Sequence, residues 1–158
     1  MARPPVLVLI ALLCLLTGGC TDYPRDSDEM TRRATERGMR VGASHDPPWV
    51  VVDASGNVSG PEAALMLRFA RAHGYRLAWV DGGHESLMRQ LEHAQLHAVI
   101  GGHHRESPWQ PRVGWAQPLQ LRAADTGPMP ERRIALPPGQ SAWHLAIDRW
   151  LAGPDAVP

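Results

Sequence analysis

Residues 101–119 read GGHHRESPWQPRVGWAQPL and place two adjacent histidines, two arginines and two tryptophans in one short stretch. Three kinds of chemistry are open to it. His103 and His104 with Glu106 are metal-ligand types, and His84, His93 and His97 add to the supply. Neighbouring residues of an extended chain point in opposite directions, however, and His93 and His97 straddle a helix-to-strand junction that breaks the i,i+4 geometry needed to bring ligands together. No metal is expected. A histidine and Ser107 within five residues suggest nucleophilic catalysis, but nothing marks a nucleophile elbow, an orienting acid or an oxyanion hole. Ser107 before Pro108 is more simply a turn residue. An enzyme is not expected, nor is a cofactor. The third chemistry is recognition, with this stretch as one wall of a pocket.

The elements around the stretch fix where such a wall would sit. MRVGA (39–43) is a short apolar strand. HDPPW (45–49) cannot be helical, because Pro47 and Pro48 lock φ and remove two donors. WVVVD (49–53) is β-branched and runs into the turn signal ASGN. Pro61 opens a helix through about His73, with Glu62 near its positive end, Gly74 as its C-terminal cap, and Met66, Leu67, Phe69 and Ala70 facing the sheet. YRLAWV (75–80) is the next strand and HESLMRQLEHA (84–94) the next helix, with Leu87, Met88 and Leu91 as its buried stripe. LHAVIGG (96–102) is a buried strand ending in two glycines, so the histidine stretch starts where a parallel strand ends. Open α/β sheets bind ligands outside the carboxyl ends of their strands. RRIALPPG (132–139) holds one more short strand. SAWHLAIDRWL (141–151) is a terminal helix capped by Ser141, with Trp143, Ile147, Trp150 and Leu151 on one face. The alternation predicts an α/β domain.

Composition narrows the partners. All 16 basic residues are arginine and they face 16 acids, for a formal charge of zero, so the electrostatic footprint of a nucleic-acid binder is missing. MARPPVLVLIALLCLLTGGC has a basic start, an apolar run too short to span a bilayer, and small residues before Cys20. Residues 1–19 are expected to be an export signal of lipoprotein type, because LTGGC resembles a bacterial lipobox. Cys20 would then carry the lipid, palmitate included, and hold the protein to a membrane on the envelope, periplasm-facing side. With Cys14 removed, Cys20 is left without a disulfide partner. The polar TDYPRDSDEM that follows makes 20–35 an expected tether.

The series ERGMRVG, DPPW, DASGNVSGPEAALMLRFARAHGY, LMRQLEHAQLHAVIGG and VGWAQPL, between Glu36 and Leu119, resembles the first lobe of the bacterial extracellular solute-binding proteins of family 3, the periplasmic amino-acid type that serves ABC transporters. IALPPGQSAWHLAIDRWL (134–151) resembles the family's closing segment. The resemblance implies a single lobe of the type II periplasmic-binding-protein fold over 36–158, with a mostly parallel sheet, one antiparallel returning strand and helices on both faces. Only 120–133 stands where the family has a whole second lobe, and so short a segment can form only a loop. The implied partners are a small polar solute, amino-acid-like, and an ABC permease or a second binding subunit. The family arginine that forks onto the solute carboxylate is replaced by Trp109, and its hydroxyl positions by His104 and Glu106; Arg105 and Arg112 are possible substitutes out of register. Trp49 matches an aromatic that lines the family's cleft. With Trp109 it forms either an aromatic wall or a plug of the lobe's own surface. Trp49, His103, His104, Arg105 and Trp109 are therefore the candidate ligand-binding residues. Alternatives are an interaction lipoprotein using the former cleft face for a protein partner and a histidine-rich metal-binding lipoprotein.

Overall fold

The protein is described here from a computed structural model covering residues 25–103, 107–121 and 131–156. Helix α1 (Met30–Arg37) leads into β1 (Met39–Ala43), and β2 (Val51–Val52) and β3 (Val58–Ser59) form a small hairpin. Helix α2 (Pro61–Ala72), β4 (Leu77–Asp81), α3 (His84–Glu92) and β5 (Ala98–Ile100) follow. The chain then supplies β6 (Gly114–Trp115), β7 (Ala135–Leu136), α4 (Ser141–Leu151) and a closing 3-10 turn at Pro154–Ala156. Among the described residues, no helix is long and apolar enough to cross a membrane.

The main sheet runs β4-β1-β5-β7-β6. β1 is parallel to both β4 and β5, whereas β7 runs antiparallel between β5 and β6. The returning strand is thus interior, and among the described residues it is the one antiparallel member of this sheet. Alternate side chains go to opposite faces of a strand, and the packing follows that rule. Met39, Val41, Ala43, Ala98, Ile100, Ile134 and Leu136 enter a larger core with α1, α2 and α4. Val99 and Ala135 enter a second core with Leu87, Met88 and Leu91 of α3 and with Trp109 and Val113. Helices therefore cover both faces, as the fold class requires.

The expected tether is corrected over part of its length. Met30 and Ala34, spaced i,i+4, are fully buried in the larger core, so α1 belongs to the lobe. Asp26 joins it: one carboxylate oxygen accepts the Trp143 backbone N–H at 2.7 Å at the start of α4, and the other accepts the Thr31 backbone N–H at 3.1 Å in α1. One side chain thus serves the orphan donors of two helix starts. It also displaces Ser141 from its expected role, since Ser141 is the first helical residue and Gln140 occupies the cap position without a side-chain capping bond. In α2 the sheet-facing residues include Leu65, while Leu67 is only half-buried. The strand expected at 49–53 contracts to Val51–Val52.

Candidate functional site

The loops after β1 and β5 meet at the carboxyl ends of the parallel strands. Ser44 donates its backbone N–H to the Ile100 carbonyl at 2.9 Å, which pins one loop to the other strand. Gly101 has φ +90°, and a Cβ there would lie 2.0 Å from the Ser44 carbonyl oxygen. Only glycine permits that approach. The two glycine N–H groups are thereby turned toward acids: Gly101 donates to Glu62 Oε2 at 2.9 Å and Gly102 to Asp46 Oδ2 at 2.8 Å. Asp46 comes from the loop after β1. Glu62 comes from the first turn of α2, where the helix dipole favours a negative charge.

A guanidinium joins the two acids. Arg132, 4% exposed, donates through Nε to Glu62 Oε1 and through a terminal nitrogen to Asp46 Oδ2 at 2.5 Å. Its carbon lies 4.8 Å from the centroid of the Trp49 ring, within cation–π reach. Glu62 is 1% exposed, and burial pushes its carboxyl above the ordinary range while the Arg132 charge pulls the other way. The assembly is a charge-assisted network, buried at Arg132 and Glu62, partly exposed at Asp46, and roofed by an indole face. Beside it, His84 Nδ1 lies 3.2 Å from Ser44 Oγ, and the His84, His103 and Trp115 rings follow one another at centroid distances of 5.1 and 5.2 Å. Burial holds His84 below its usual pKa.

The candidate residues from the sequence separate. Trp49 is buried in the larger core, with Arg132 over its ring. Trp109 is buried in the second core, with the Arg112 carbon 4.5 Å from its ring centroid. They do not share an aromatic wall, and both fill the lobe's own interior. Arg112, weighed as a substitute clamp, forks onto Glu92 at 2.9 and 2.6 Å. His103 is buried against His84 and Trp115. His104, Arg105 and Glu106 lie outside the described residues, as does Cys20. His93 is exposed and His97 buried; among the described residues no group of three or more His, Cys, Asp or Glu is placed to hold a metal ion. Asp46, Glu62 and Arg132 carry no motif that marks them as a site in the sequence.

The chain resembles a solved structure of the arginine-bound form of domain 1 from TmArgBP, at 26% identity and a TM-score of 0.64, over 76% of this chain and 96% of that one. The fold is that of one periplasmic-binding-protein lobe. A point mutant of the same arginine-bound domain aligns over 77% of this chain and 95% of its own length, with 26% identity and a TM-score of 0.65. A point mutant of arginine-bound ArgBP from T. maritima aligns at 28% identity and a TM-score of 0.50 over 55% of this chain but only 42% of that one. No family model and no curated protein sequence matches this chain. The lobe thus covers nearly the whole of a single solved domain and less than half of the longer chain.

Proposed function

We propose that this protein is a lipid-anchored, envelope-facing solute-binding module of the ABC-transporter type, which takes a small polar, amino-acid-like solute weakly or with the help of a partner. The observation that carries the reading is the alignment with nearly all of a lone domain that is itself arginine-bound. A single lobe of this fold is therefore a sufficient frame for an amino acid. The grouping of polar side chains and glycine N–H groups at the carboxyl ends of β1 and β5 supports the same location. Catalysis has no support in the arrangement, because the two glycine N–H groups that would serve an oxyanion are committed to Glu62 and Asp46.

Weak binding is the expectation for a single wall. Tight pockets bury roughly 70–90% of a small ligand, and one lobe offers one wall. Trp49 and Trp109 are occupied in the interior and the strand-end acids are already matched by Arg132. The expected dissociation constant for free amino acids is about 0.1 mM or weaker, the missing contacts each counting tenfold per roughly 1.4 kcal/mol. Calorimetry on the chain produced without the residues before Thr21, with a panel of basic, acidic and neutral amino acids, tests this. Binding tighter than about 10 µM by a proven monomer would refute the half-site argument, and no heat for any amino acid up to about 10 mM would refute the solute reading itself.

A further inference from the structure

We propose that Asp46, Glu62 and Trp49 form a guanidinium site of this lobe, and that the chain fills it with its own Arg132. The cage has the features a planar cation selects: two carboxylates that accept from different nitrogens, and an indole face beneath the guanidinium carbon. A compact ammonium has neither the fork nor the plane to use all three. Each part of the cage also has an anchor other than the arginine. Asp46 and Glu62 are each held by a glycine N–H, Glu62 stands on the first turn of α2, and the Glu62 backbone N–H donates to the Trp49 carbonyl at 3.2 Å. The cation alone is imported, from a position 70 residues beyond Glu62 and 86 beyond Asp46. Arg132 therefore behaves as a ligand on a tether: its removal opens a guanidinium-sized space between two anchored acids under the Trp49 face.

With Arg132 removed the site takes alkylguanidinium groups, including the side chain of free arginine, whereas in the unmodified chain Arg132 holds it. This places the occupant at the strand-end site of the solute reading, but requires neither transport nor anchoring.

The test is chemical rescue. The Arg132→Gly chain should be destabilised, and about 10 mM ethylguanidinium should restore at least half of the lost melting temperature while leaving the unmodified chain unstabilised. Equal concentrations of sodium chloride, tetramethylammonium, which has charge but no donors, and urea, which has donors but no charge, should not rescue. Adding Glu62→Gln to the glycine variant should weaken the response at least ~10-fold. If Arg132→Gly does not fold unaided, refolding by dilution into ethylguanidinium or sodium chloride reads the same effect, recovery in ethylguanidinium alone supporting the proposal. Equal recovery or equal failure in the two salts, rescue by tetramethylammonium or urea, or an equal rise in the unmodified chain would each overturn it. Failure of the unmodified chain to bind any amino acid would sink the solute reading and leave the rescue standing. Rescue failing while amino acids still bind would put the solute elsewhere.

Discussion

Acidification should destabilise the lobe through His97, by an amount that can be worked out. His97 precedes β5, is 1% exposed and packs edge-on to Trp143, with ring centroids 5.4 Å apart. Its Nδ1 accepts the Arg40 backbone N–H at 3.0 Å, so the neutral ring carries its hydrogen on Nε2, and a second proton would have to enter where that bond is made. Its backbone carbonyl accepts the Trp143 indole N–H at 2.7 Å, which ties α4 to the same point. Burial first, then the Arg33 charge, lowers the imidazole pKa from 6.5 to about 4. The unfolded chain therefore takes up its proton first on acidification. The stability held by the neutral ring is complete above pH 6.5 and is lost as pH falls toward about 4. At about 1.4 kcal/mol per unit, a depression of roughly 2.5 units corresponds to about 3 kcal/mol, a large share of the roughly 5–15 kcal/mol of a typical domain. Urea unfolding followed by tryptophan emission, at pH 7 and at about pH 4.5, measures it. His97→Gln can keep an acceptor for the Arg40 N–H and does not titrate. Both proteins will respond to their carboxylates, but the parent should lose about 2 kcal/mol more than the variant across this interval. Parallel losses would show that the buried imidazole is not what couples this fold to pH.

Two further outcomes are expected. Truncation after Gln120 removes β7 from between β5 and β6 along with the fully buried Trp143, so the remaining chain should lose its cooperative melting transition; a single sharp melt by calorimetry would show that the tail is only appended. Labelled palmitate should enter the full chain and be absent from Cys20→Ser, and label that persists in the variant would remove the lipid anchor from the proposal.

Segments with one dominant period are legible in the sequence alone. Leu87, Met88 and Leu91 mark the buried stripe of α3, and Pro61 with Gly74 brackets α2, because there apolar spacing and end signals agree. Helix α1 was not legible as part of the lobe. Its eight residues are mostly polar, and only Met30 and Ala34 betray an inward face. What orders it is distant in sequence: the Asp26 carboxylate reaches the start of α4, and Gln140 accepts the Asp28 N–H at 3.0 Å. A local reading of composition has no access to either partner. The tryptophans failed differently. An aromatic that lines a pocket and one that fills a core are the same residue in sequence, and only the position of Arg132 above Trp49 and of Arg112 above Trp109 separates the cases.

The buried arginine did leave a signal, in the parity of the strand it precedes. In extended chain, alternate residues share a face. Ile134 and Leu136 enter the larger core, which also holds Trp49, whereas Ala135 between them enters the second. Counting back by two from Ile134 gives Arg132, so the face that buries the aliphatic residues carries this guanidinium inward to the acids. Arg133 has the opposite parity and pairs at 2.5 Å with Glu131, with both side chains about a third exposed. Of two adjacent arginines, the register thus selects one for the interior. The same register lets β7 bridge Val99 of β5 and Trp115 of β6 through Ala135. Sheet continuity and neutralisation of Asp46 and Glu62 consequently depend on one short stretch, 132–136. A single-residue slip there would turn Arg132 away from both acids and push Ile134 out of the core together.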